Sequence, residues 1–126
     1  MKRYMAALMI AAAVLISAPA LRADGARVEK AVVQFTEPVK LLDVILKGEY
    51  TFVHDKEKMA KGEPCTYVYQ NERLVVSFHC EHVDRVKADR FVVVISAPPA
   101  NGLPELLEFR FAGSTEGHKV PQGSRP

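Results

Sequence analysis

The stretch Cys65-Thr66-Tyr67-Val68-Tyr69-Gln70-Asn71-Glu72-Arg73-Leu74-Val75-Val76-Ser77-Phe78-His79-Cys80 decides the fold. It reads as two strands, Cys65 to Gln70 and Leu74 to His82, on either side of the polar run Asn71-Glu72-Arg73. The aromatic and β-branched residues that fill both arms suit a pleated, half-buried surface. Setting Cys65 opposite Cys80 makes Tyr67 face Phe78, Tyr69 face Val76 and Gln70 face Val75, with Asn71 to Leu74 as the loop. Successive side chains alternate across a strand. Cys65, Tyr67, Tyr69, Val76, Phe78 and Cys80 then share an apolar face, and Thr66, Gln70, Ser77, His79 and Glu81 the other. A slip of one residue would part the cysteines.

Working outward, short strands recur between turn signals. Val28 to Phe35 reads as a strand that Pro38 breaks, because proline cannot donate to a ladder. Val39 to Leu46 is a second apolar segment, Lys47-Gly48-Glu49 a turn, and Tyr50 to His54 a third strand with Tyr50, Phe52 and His54 on one side. Asp55 to Pro64 is a charged loop holding one helical turn, which Asp55 caps and Gly62 ends. Arg90 to Ser96 is apolar on both faces and predicts a central, doubly covered strand. Pro98 to Gly102 is a loop. Leu106 to Ala112 is a last strand with Leu107, Phe109 and Phe111 inward. About seven short strands predict an all-β fold, a small antiparallel β-sandwich or barrel; period-2 faces fit both.

The start of the chain has a different character. Lys2 and Arg3 precede an apolar run from Met5 to Ala18, followed by Ala18-Pro19-Ala20 and Ala23. Charge, apolar core and small-residue site make a secretory signal peptide. The run falls short of the ~20 apolar residues that a membrane-spanning helix needs. The expected organisation is a signal peptide over 1–23, with cleavage after Ala20 or Ala23, a β-rich domain over 24–112 and a flexible polar tail over 113–126. The destination is outside the cytoplasm, periplasmic or extracellular. Cleavage after Ala23 removes Lys2, Arg3 and Arg22 and no acid, leaving 14 basic against 15 acidic side chains of the original 17 and 15. A near-neutral domain lacks the electrostatic footprint of a nucleic-acid binder and the polybasic patch of a membrane-surface binder.

Two cysteines in an exported chain predict a Cys65–Cys80 disulfide, in the register given above. The competing use of the pair is as thiolates on a metal. His54, His79, His82 and His118 are the other groups with site chemistry. On a strand, His79 and Glu81 point one way and Cys80 and His82 the other. A blue-copper pattern fails, because no Met follows His82. Zinc needs three or four ligands. His54 and His118 both adjoin polar segments that can share one end of the domain, and His79 or an acid is the expected third ligand for Zn²⁺ or Cu²⁺. The plainer alternative is a set of strand-end histidines with no ligand.

The remaining residues carry no catalytic signature. Ser77, Ser96 and Ser114 lie outside any G-x-S-x-G elbow, and no glycine loop cradles phosphate. Pro38-Val39-Lys40-Leu41-Leu42, Gly48-Glu49-Tyr50-Thr51-Phe52-Val53-His54-Asp55, Gly62-Glu63-Pro64-Cys65-Thr66-Tyr67-Val68-Tyr69 and Leu74-Val75-Val76-Ser77-Phe78-His79-Cys80 resemble a group of small exported bacterial proteins of unassigned function. The likeness continues to Phe111-Ala112-Gly113-Ser114-Thr115-Glu116-Gly117-His118. It implies no activity, ligand or catalytic residue. The expected function is that of a non-catalytic exported β-domain that binds a protein or small ligand or serves the envelope. The alternative is a metal-binding protein using His54, His118 and a third ligand.

Overall fold

β1 (Val28–Leu41) and β2 (Val44–Asp55) form one long antiparallel hairpin that turns at Leu42-Asp43. The sequence reading broke this hairpin at Pro38 and at Gly48, and the structure corrects both. β1 is an edge strand, and its register shifts between Phe35 and Val39. Pro38 sits within that irregularity, where a missing N–H removes no ladder bond. Gly48, opposite Phe35, takes φ +102°, a conformation open to glycine and strained for other residues. The two irregularities face each other, so the ladder bends there and continues.

This computed structural model describes residues 28–122; the expected signal peptide, residues 1–23, lies outside them. Asp55 ends β2 and accepts from the amides of Glu57 and Lys58, capping the single-turn helix α1 (Lys56–Ala60). Gly62, at φ +80°, ends that turn as expected. β3 (Thr66–Gln70) and β4 (Arg73–Phe78) complete a sheet of order β1-β2-β3-β4. They are joined by Asn71 and Glu72, both at positive φ, the backbone signature of a two-residue hairpin turn. That turn is shorter than the four-residue loop read from the sequence, and it moves the register. Thr66 pairs with Phe78, Tyr67 with Ser77 and Val68 with Val76. Thr66 and Val68 are therefore buried, while Tyr67 and Tyr69 are only half-buried. The Tyr67 hydroxyl donates to the Pro64 carbonyl at 2.8 Å. A phenol that needs a partner fits this outer position better than the core assigned to it from the sequence.

The second sheet has the order β5-β8-β7-β6, from β5 (Glu81–Asp84), β6 (Val92–Ile95), β7 (Leu106–Arg110) and β8 (Glu116–Lys119). Two expectations change here. The apolar strand β6 lies at the sheet edge, with Val94 and Ile95 exposed, and is not central. The segment expected as a flexible polar tail contains β8, which pairs with both β5 and β7. Its two-sided hydrogen bonding supplies what its composition does not. Among the described residues there are eight strands in two antiparallel sheets, arranged as a sandwich and not closed into a barrel. The core between them is aromatic: Phe52 packs against Phe35, Phe91 and Phe109, and Phe109 against Phe78, Phe91 and Phe111. No helix among the described residues is long and apolar enough to cross a membrane.

Candidate metal centre

Alternation on β2 turns Leu46, Tyr50, Phe52 and His54 inward in succession. The first three are core, and the fourth continues their face. Across the sheet, His54 lies between Glu29 on β1 and Thr66 on β3, and Thr66 pairs in turn with Phe78. The facing sheet carries a matching row. His118 on β8 lies between His82 on β5 and Phe109 on β7. The rows meet with the His54 and His118 rings 4.1 Å apart, both side chains at 0% exposure. The two histidines nominated from the sequence therefore converge.

Of the two expected third ligands, an acid meets the pair and His79 does not: coordinating atoms of Glu29, His54 and His118 all lie within 4.8 Å of one another. His79 is exposed, with Nε2 3.1 Å from the Gly62 carbonyl, outside the cluster. The cysteines bring two further donors beside His54. Cys65, immediately before β3, is buried, and its Sγ lies 3.1 Å from Cys80 Sγ. A disulfide holds its sulfurs at about 2.05 Å, so the expected bond is absent and both cysteines are free thiols. The cause is the register. Cys65 and Cys80 are not cross-strand partners, because the β3–β4 ladder ends at Thr66 and Phe78 and the chain then crosses to the second sheet. Cys80 approaches Cys65 from that connection, not from a paired strand. Its Sγ also lies 3.6 Å from His118 Nδ1 and accepts from the Thr66 hydroxyl at 3.6 Å. Coordinating atoms of His54, Cys65 and Cys80 all lie within 4.8 Å of one another.

The charges in this cluster are coupled. The Cys80 thiol, donating to Cys65, pushes the Cys65 thiol well below its usual range against the opposing effect of burial, and His54 adds to the lowering. The same sharing, together with burial, pushes the Cys80 thiol up. Burial works to lower His54, but contact with Cys65 and Glu29 outweighs it and holds the imidazole up to about 9. His118 is pushed down to about 3, by burial first and then by repulsion from His54, His82 and Lys56. The geometry thus favours negative charge on Cys65 and positive charge on His54, and disfavours charge on His118. Proton sharing still leaves the nitrogens poorly served. His54 Nδ1 and Nε2 and His118 Nε2 are buried without an aligned hydrogen-bond partner. Buried polar atoms are nearly always paired, and leaving one unpaired costs on the order of 1–3 kcal/mol.

His54, Cys65 and Cys80 form one triad of donors and His118 approaches it through Cys80, so a four-coordinate ion would need His118 to close on the triad. With Zn–S near 2.3 Å and Zn–N near 2.0 Å, a tetrahedron has an S···N edge of roughly 3.5 Å and an S···S edge of roughly 3.8 Å. The Cys80 Sγ to His118 Nδ1 distance of 3.6 Å matches the first edge. The sulfurs, at 3.1 Å, stand where a shared S–H proton holds them. An ion that displaced that proton would need them about 0.7 Å further apart. Glu29 Oε1, 3.6 Å from His54 Nδ1, is placed as the carboxylate that orients a ligating imidazole. Comparison with protein-family models, with curated proteins and with solved structures gave no match.

Sequence reasoning missed Glu29, Thr66 and Glu116. Glu29 carried a signal: it precedes Ala31, Val33 and Phe35 at period two, on their inward face. Assigning Cys65 and Cys80 to a disulfide removes them from the ligand set.

Proposed function

We propose that this chain is an exported, non-catalytic metal-binding protein whose buried centre is formed by His54, Cys65, Cys80 and His118. The observation that carries this reading is a pair of fully buried imidazoles, with both nitrogens of His54 and Nε2 of His118 lacking an aligned hydrogen bond, beside two cysteines outside any disulfide. A donor set of two sulfurs and two nitrogens suits Zn²⁺, and its soft thiolates also suit Cu⁺. Zn²⁺ is the better match to a closed tetrahedral site. His54 and Cys65 come with the first sheet, and His118 and the adjoining Cys80 with the second, so a bound ion fastens the sandwich at one end. No open position for substrate is built into this set, which favours holding an ion over catalysis. The reading of residues 1–23 as a signal peptide supports placing this role outside the cytoplasm.

The test is metal analysis of protein purified without an affinity tag, followed by Co²⁺ substitution. The expected result is one ion per chain and a thiolate-to-cobalt charge-transfer band that weakens in Cys65→Ser and disappears in Cys65→Ser/Cys80→Ser. Protein that carries no ion, takes up neither Zn²⁺ nor Cu⁺ and shows no such band overturns the reading.

A further inference from the structure

His118 belongs to two donor groups. On one side its Nδ1 approaches Cys80; its Nε2 is buried without a hydrogen-bond partner. Coordinating atoms of His118, His82 and Glu116 also lie within 4.8 Å of one another. This second group is more open than the first. The side chains of His82 and Glu116 are 42% and 34% exposed, while His118 is fully enclosed. The three therefore step from solvent to core, with the His82 and His118 rings 5.3 Å apart and the His118 and His54 rings 4.1 Å apart.

We propose that His82 and Glu116, sharing His118 with the buried centre, form an outer ligand set that takes a divalent cation from solvent and passes it inward. The inference rests on the metal-binding reading above and adds a route to it. A centre closed between two sheets needs such a route, because a hydrated ion cannot shed its water in an apolar core without replacement ligands. An imidazole and a carboxylate at the rim supply those ligands one at a time. The same surroundings keep the outer set weak. Glu116 Oε1 already faces His82 Nε2 at 3.1 Å, and Lys56 Nζ lies 3.9 Å from the same oxygen. A cation held there meets the lysine charge, so its stable position is the buried set with two thiolates. Transfer exchanges ligands only: the ion leaves His82 and Glu116 for Cys65, Cys80 and His54, and the protons that Cys80 and His54 carry in the metal-free protein leave to solvent.

The outer set lowers the barrier in both directions and leaves the end states alone. Replacing it should therefore slow uptake and release together without weakening the final complex. Stopped-flow uptake of Zn²⁺ by the purified full chain, and its removal by a chromophoric chelator, measure both rates, and their ratio checks the equilibrium titration. In His82→Ala and in Glu116→Gln both rates should fall by about tenfold, with the dissociation constant within about threefold of the unmodified protein, against the 10–100-fold losses typical of supporting ligand-shell changes. Unchanged rates in both variants overturn the outer route and leave the buried centre standing. A weakened dissociation constant with unchanged uptake also overturns it, since it makes these residues ligands of the final complex. Failure of the unmodified protein to take up Zn²⁺ removes the buried centre as well.

Discussion

Phe52 and His54 lie two residues apart on β2 and point into the same interior, yet they meet different surroundings. Phe52 is enclosed by Phe35, Phe91 and Phe109, which ask nothing of one another but contact. His54 is equally buried and meets His118, Cys65 and Glu29 without one aligned hydrogen bond to its nitrogens. The facing sheet repeats the contrast in a single pair, Phe109 beside His118. One end of the sandwich is complete as it stands. The other buries polar groups that nothing in the described chain fully serves, and such a cost persists where a ligand offsets it.

If the aromatic end alone holds the fold, breaking it should give the largest effect. Phe52→Ala removes a fully buried ring from the centre of the cluster and should cost about 3–5 kcal/mol. The loss should be the same in metal-free and metal-loaded protein, as read by chemical denaturation. A cost below about 1 kcal/mol would place the core elsewhere.

The histidine end should respond in the opposite sense. His118→Leu exchanges a buried, poorly paired imidazole for a side chain that suits its apolar neighbours Phe109 and Phe111. Metal-free protein should gain about 1–2 kcal/mol, the cost of an unpaired buried polar group. The unmodified protein should instead gain about 2.7 kcal/mol from Zn²⁺ at a hundred times its dissociation constant, and the variant should lose most of that response. Thermal unfolding with and without Zn²⁺ measures both. A variant less stable than the unmodified protein without metal shows that His118 is a satisfied core residue and removes the contrast.

How much of this was legible beforehand follows the same division. The inward run of β2 was readable because Tyr50, Phe52 and His54 keep period two, and that alone put His54 on the core face. The convergence of His54 with His118 was readable only as a shared end of the domain. β8 was hidden, because Glu116-Gly117-His118-Lys119 has no apolar alternation and is held by ladders on both sides. The hairpin register failed for a local reason. Two residues at positive φ, Asn71 and Glu72, close a shorter turn than their composition announces. That single step moved the tyrosines outward, parted the cysteines from a paired register, and turned an expected disulfide into two free thiols beside two imidazoles.

A third buried polar group sharpens the comparison by being properly paired. Glu108 on β7 is buried and receives two hydrogen bonds from the Arg85 guanidinium, at 2.7 and 2.8 Å. The pair crosses the outer face of β8 over Gly117, where an added Cβ would meet Glu108 Oε2 at 2.6 Å. Arg85 holds the Glu108 carboxyl below its ordinary value, against the opposing effect of burial. A carboxylate lowered in the folded state contributes stability above its unfolded value of about 4.3 and loses it as pH falls through the lowered folded value. Glu108→Gln lacks that titration. The unmodified metal-free protein should therefore be the more stable near neutral pH, and its advantage should shrink steadily as the pH is lowered from about 5 into the acid range. Arg85 is partly exposed, so solvent screens the pair and the effect should be the smallest of the three. Denaturation curves for the two proteins that stay parallel down the pH scale would show that the pair contributes nothing by charge. They would leave Glu108 with a packing role, and the distinction between served and unserved buried groups would then rest on the histidines alone.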